Sequence, residues 1–260
     1  MTADSCIEPK ALLLLTTRRQ VARTTGRAGW RTVEEVVAWQ PAQTAVIVVD
    51  MWDKHWSYGA NERVAVLAPR VDTVLRFARE RGLLIIHAPS DVVGFYDGHP
   101  AREWVLSLPF AAPPAPLEHA DPPLPVDASD EGSDTFETGW YTAWTRQHQA
   151  IEILPSDAIS ADGQEVYNIL AHTGRRNLIF MGVHTNMCVL NRPFAIKRMV
   201  RWGFNVVLAR DLTDAMYTPL MPPYVSHGEG TRLIIGYIEK FWCPTITSDD
   251  LTSGRSGAPG

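Results

Sequence analysis

Cys188 sits in the run Gly182-Val183-His184-Thr185-Asn186-Met187-Cys188-Val189, where an apolar strand gives way to a helix. A thiol at that junction is placed for nucleophilic chemistry. The partial positive charge of a helix N-terminus lowers a thiol pKa, and the free N–H groups of a first turn can hold an oxyanion. The competing assignment is a small buried residue, the common fate of a free cysteine. Cys6 and Cys243 lack this setting and read as structural or incidental. Three cysteines so spaced make neither a disulfide framework nor a zinc cluster, which points to a reducing compartment.

Asp50 follows the apolar run Ala45–Val49. It can serve as a base, as the orienter of a base, or as a helix cap. Lys54 and His55 come within one turn and can reach the same edge. His87 closes a second apolar run, where a hydrogen-bonded core histidine is commoner than a catalyst. Asp91 and His99, with Asp53 or His55 as a third ligand, define a metal alternative, but no HExxH or paired CxxC supports it. No metal and no cofactor is therefore expected. P-loop, GxGxxG and GxSxG motifs are missing, which removes the usual nucleotide-binding and serine-hydrolase readings.

These residues need a scaffold that brings distant segments to one edge. Ala45–Val49 and Leu83–Ala88 are short β-branched or aliphatic runs of the kind buried on both faces of a parallel sheet. Between them, Arg63–Arg81 has helical apolar spacing and stops at Gly82, so the three form a βαβ unit. The pattern repeats: helix 162–172, strand 177–183, helix 191–201 stopped near Gly203, strand 204–209 ending before Asp211, and helix 230–241. The fold class is α/β, a doubly wound, mostly parallel sheet with helices on both faces. Ligands of such sheets bind beyond the strands' carboxyl ends, and the segments there are 50–55, 87–91, 184–188 and 211–214. Residues 1–44 form an N-terminal extension with one amphipathic stretch, 45–248 the catalytic domain, and 249–260 a flexible tail. A proline-rich, acidic insertion at about 107–135 is an excursion that can act as a lid.

The strand ending in Asp50, the loop Gly-Val-x-Thr-Asn-x-Cys-Val at 182–189 and the later strand before Asp211 resemble the isochorismatase-like superfamily of cysteine hydrolases, over roughly residues 45–248. The resemblance implies a triad of Asp, Lys and Cys. Carried over, Asp50 is the base, Cys188 the nucleophile, and the backbone amides of His184 and Cys188 form the oxyanion hole, with a cis peptide before His184. The lysine does not carry over. The chain has none between Lys54 and Lys197, and Glu152 and Leu154 stand near the expected place. Three explanations stay open: Lys54 supplies the ammonium, an arginine such as Arg146 or Arg192 replaces it, or the protein is not an ordinary amidase. Lys54 is preferred as the only lysine near the active edge. Nicotinamidases carry an Asp-x-His metal motif that Ser90-Asp91-Val92 does not reproduce, which disfavours that activity.

The expected function is a hydrolase that cleaves a C–N bond of a small amide, ureide or carbamoyl compound through a Cys188 thioester. Trp52, His55, His87, Asp91, Tyr96, Asn186 and Arg192 are the expected substrate-binding residues, and Trp56, Phe95, Trp140 and Tyr141 are further candidates to line or cover the pocket. The alternatives are a catalytically inactive binding or assembly protein of the same fold and a metal-assisted hydrolase using Asp91 and His99. In a 260-residue chain, 45% hydrophobic content suffices for a full core. A net charge of −5 gives no footprint for nucleic acid or an anionic membrane. No run approaches the roughly 20 apolar residues of a membrane span. The partner is thus a small-molecule substrate, the location cytoplasmic, and, by resemblance, the assembly a homo-oligomer.

Overall fold

Every residue of β3 (Thr44–Val49) is buried, because the strand is covered on both faces. Ala45, Ile47 and Val49 point into one apolar cluster and Val46 and Val48 into the other. This computed structural model describes residues 11–137, 139–253 and 256–257. Cys6 and residues 254, 255 and 258–260 of the tail expected to be flexible lie outside the described residues.

Helix α1 (Tyr58–Arg81) covers the second cluster with Val64, Leu67, Val71, Leu75 and Ala78. It begins five residues before the periodic stretch because the Ser57 hydroxyl accepts a hydrogen bond from the Ala60 N–H. Gly82 ends it at φ 86°, a left-handed cap suited to glycine. Strand β4 (Leu84–Ala88) then pairs parallel with β3. Helix α2 (Pro100–Ser107) precedes a long stretch without helix or strand that includes the proline-rich excursion. Strand β5 (Ala158–Ile159), helix α3 (Gly163–His172) and strand β6 (Asn177–Val183) follow, β6 lying parallel to β3 on its other side. On the first cluster's face lie α3, α5 (Ile196–Arg201) and α6 (His227–Phe241).

The single helix expected over 191–201 is two. A short α4 (Cys188–Asn191) stops at Arg192, whose ψ of 155° is extended, and α5 begins only at Ile196. Pro193 explains the break, since the residue before a proline is pushed out of the α region. Strand β7 (Asn205–Asp214) also runs past its expected end. Its pairing with β6 shifts between Leu208 and Thr213, so Asp211 sits inside an irregularity and Asp214 at the tip.

The sheet order is β2-β1-β8-β7-β6-β3-β4-β5, with β8 (Thr245–Ile246) parallel to β7. In place of an extension with one amphipathic stretch, β1 (Leu12–Ala22) and β2 (Trp30–Trp39) form an antiparallel hairpin on this edge. Leu13 and Leu15 are fully buried, so the hairpin shares the core. After β8, α7 (Asp249–Thr252) packs Leu251 into the second cluster, and β9 (Ser256–Gly257) pairs with β1. No helix among the described residues is long and apolar enough to cross a membrane.

Candidate active site

Asp50 follows β3 in the left-handed region, at φ 45°, which lets the chain turn back while the carboxylate stays fully buried. One oxygen accepts from the Ser90 N–H at 2.7 Å and the other from Arg192 Nε at 3.1 Å. The Cys188 thiol lies beside the same carboxylate and is electrostatically coupled to it. Burial raises the pKa of Asp50 above the ordinary carboxylate value, while Arg192, Cys188 and Ser90 oppose that rise.

Burial also raises the Cys188 thiol, and the adjoining Asp50 charge adds to it. The lowering expected from the helix terminus is overridden, since α4 has only four residues and supplies little dipole. The resting sulfur is therefore a thiol held beside a carboxylate. Arg192 opposes both shifts as the nearby cation and is itself held more firmly charged by Asp50, Cys188 and Asp91. Its extended backbone before Pro193 lets the side chain bridge Asp50 and, at 3.2 Å, Asp91.

The loop 184–187 is fixed to the end of β7. Thr185 N–H donates to the Asp214 carbonyl at 2.8 Å, and the Thr185 and Thr213 hydroxyls lie 2.7 Å apart. Asn186 donates to the Met216 carbonyl and accepts from the Met216 N–H, at 2.8 and 2.9 Å. The Val183–His184 peptide is cis. The backbone N–H of His184 is directed at the Cys188 sulfur. Gly182 lies against β3: a Cβ there would stand 2.1 Å from the Val49 carbonyl oxygen, and its φ of 110° also calls for glycine.

Above the thiol is a cavity of about 380 Å³. Trp52 and Trp144 stack at 4.2 Å and Trp140 meets Trp144 edge-on at 5.9 Å. Trp56, Met187 and Met216 complete the apolar wall, and Asp91, Arg192 and Glu131 give it charge. His55 and His184 meet edge-on at 4.9 Å. Burial, aided by the Arg63 charge, pushes His55 down to about 4, and burial, with His55 as a competing neighbour, pushes His184 down to about 3, so both line the cavity as neutral rings. Behind them, Asp214 binds Arg63 at 2.7 Å and His227 at 2.9 Å, and Arg63 grips Asp134 through two nitrogens.

The residues expected at the site divide. Cys188, Asp50, Arg192, His184, Trp52, His55 and Asp91 come together, as do Trp56 and Trp140. Lys54 does not: it is exposed and off the cavity wall, and the bond to Asp50 comes from Arg192. His87 is a core histidine between Gln147 and Asp157, at 3.1 and 3.2 Å. The Tyr96 hydroxyl accepts from the Gln147 N–H, away from the wall, and Asn186 is spent on Met216. Phe95 and Tyr141 are exposed elsewhere. The metal alternative loses its donors: His99 caps α2, Asp53 holds Thr145 and Asp91 holds Arg192. Among the described residues no group of three or more His, Cys, Asp or Glu is placed to hold a metal. Trp144, Glu131, Met187 and Met216 were not anticipated. Met187 lies within the 184–188 segment and Met216 two residues beyond the Asp211–Asp214 segment, while Trp144 and Glu131 lie on irregular chain without periodicity.

The Isochorismatase domain family model matches residues 44–219. Similar solved structures include a cysteine hydrolase from Pseudomonas syringae pv. phaseolicola 1448A, 19% identical, covering 83% of this chain and 95% of that one with a TM-score of 0.51. Another is an isochorismatase family protein from Burkholderia thailandensis, 14% identical over 82% and 95% of the two chains, with a TM-score of 0.48. No curated protein matches.

Proposed function

The chain belongs to the isochorismatase family, and from that premise we propose that it hydrolyses a C–N bond of a small amide, ureide or carbamoyl compound through a thioester on Cys188. The observation that carries this is Cys188 on the cavity wall with its thiol beside buried Asp50, which is itself bonded to Arg192. Asp50 takes the thiol proton as the sulfur attacks the carbonyl carbon, so a raised resting pKa of the thiol is compatible with attack. The backbone N–H groups of His184 and Cys188 hold the oxyanion. The amine leaves with the proton from Asp50. Asp50 then draws a proton from water, which cleaves the thioester and frees the acid and the thiol.

Arg192 takes the electrostatic part that the resemblance gave to a lysine. It favours the ionised form of Asp50 against burial and stabilises the charge passed between sulfur and carboxylate, but its own proton stays put. A cation bonded to Asp50 supports an active enzyme over an inactive protein of the same fold. Turnover across a panel of small amides, ureides and carbamoyl compounds tests the proposal: Cys188→Ala should lose roughly 10³-fold or more, whereas full activity in that variant would end it.

A further inference from the structure

β2 is the outermost strand of the sheet. Its ten residues pair with β1 in an unbroken register, from Leu13 opposite Trp39 to Ala22 opposite Trp30, and among the described residues nothing pairs with its other side. A long edge strand without proline or bulge presents a row of free backbone N–H and C=O groups to any strand that can match it. Its sequence, Trp-Arg-Thr-Val-Glu-Glu-Val-Val-Ala-Trp, determines which strand that is.

We propose that β2 pairs antiparallel with β2 of a second copy about a two-fold axis at Val33, so that one sheet runs through a homodimer. A two-fold axis perpendicular to the sheet keeps each face on its own side, so each residue must face one of the same parity. That leaves few registers. An axis at Glu34 or Glu35 sets two carboxylates against each other, and an axis at Thr32 puts Trp30 opposite Glu34. An axis at Val33 sets Arg31 opposite the partner's Glu35 and Trp30 opposite the partner's Val36, each contact occurring twice. Trp30 and Val36 are 39% and 67% exposed, and this register covers both. Trp30 is already oriented by an edge contact with Phe241 at 5.4 Å. Opposite charges and apolar pairs directly across strands are the stabilising unit of an antiparallel sheet. The edge lies far across the sheet order from β3 and β6, which carry the active site.

Sedimentation of the full chain over micromolar concentrations tests this. The wild type should form a dimer. Arg31→Glu and Glu35→Arg should each raise the dissociation constant roughly tenfold or more, because each places like charges opposite one another twice. The double variant Arg31→Glu/Glu35→Arg should return to the wild-type value. Both side chains are exposed, so circular dichroism should report an intact hairpin in all three variants. A wild type that stays monomeric, its edge open or taken by some other strand, overturns the proposal. So does a dimer indifferent to Arg31→Glu, which places the interface elsewhere, or a double variant as weak as the singles, which denies the register.

Discussion

At a buried carboxylate, one neighbouring cation decides the pH at which a proton can be taken up. Asp50 is raised by burial and held down by Arg192, so the acid limb of kcat/KM should lie above the range of a free carboxylate. Arg192→Gln removes the opposing charge, so Asp50 should rise further and the limb move to higher pH, with a rate loss of roughly 10²-fold or more. An unchanged limb in a pH–rate series would detach Arg192 from Asp50. Arg192→Lys should keep part of the rate, since an ammonium supplies the charge but loses the forked contact that also reaches Asp91. Lys54→Ala, at an exposed position off the cavity, should leave the rate within about twofold. Asp50 was legible because it closes an apolar strand, and Cys188 because it opens a helix just beyond one. Arg192 was legible only as one of several cations, since its reach to Asp50 depends on Pro193 turning the backbone out of the helix.

The elements meet at Gly182 and Asn186. Gly182→Ala would push a methyl against the Val49 carbonyl in a backbone conformation that side chains avoid, and should cost roughly 3 kcal/mol in urea titration. Asn186→Ala removes two bonds to the Met216 backbone and leaves that N–H and C=O unpaired, at a cost of about 2–4 kcal/mol. The cavity wall then shifts with Met216, so KM should rise as well. The parallel core was readable because β3, β4 and β6 are continuous apolar runs between glycines and polar turns. Hairpin β1–β2 was not, because Leu13 and Leu15 count as an inner face only once the second cluster, with Leu251 of α7, packs against them. The same holds for His87, Tyr96 and Asn186: strand-end position is visible in sequence, but whether a polar group faces the cavity or a backbone partner is set by chain some 30 to 60 residues away.

Across the whole molecule, neutral histidines set the stability at mildly acid pH. His55 and His184 titrate in the fold well below their unfolded value of about 6.5, so their contribution is full above that pH and is lost as pH falls toward 4 and 3. His227, raised chiefly by its bond to Asp214 against burial, acts with the opposite sign: its contribution is full below about 6.5 and is lost at higher pH. His148, also lowered by burial, joins His55 and His184, while raised Asp50 sides with His227; three groups against two leave the unfolding free energy falling between pH 6.5 and 5 by roughly 1 kcal/mol per pH unit, with a shallower slope in His55→Gln. A flat urea midpoint across that interval would contradict this. The excursion over residues 107–135 belongs to this scale too: it lends Val126 to the core, Asp134 to Arg63 and Glu131 to the cavity, a role that a proline-rich composition does not reveal. The proposed function rests on covalent chemistry at Cys188. The most direct measurement is mass spectrometry of the enzyme quenched during turnover of a small amide, ureide or carbamoyl substrate. An acyl adduct on the peptide containing Cys188, equal in mass to the substrate less its leaving amine, is the expected result. Turnover that proceeds with no adduct, and equally well in Cys188→Ala, would contradict it.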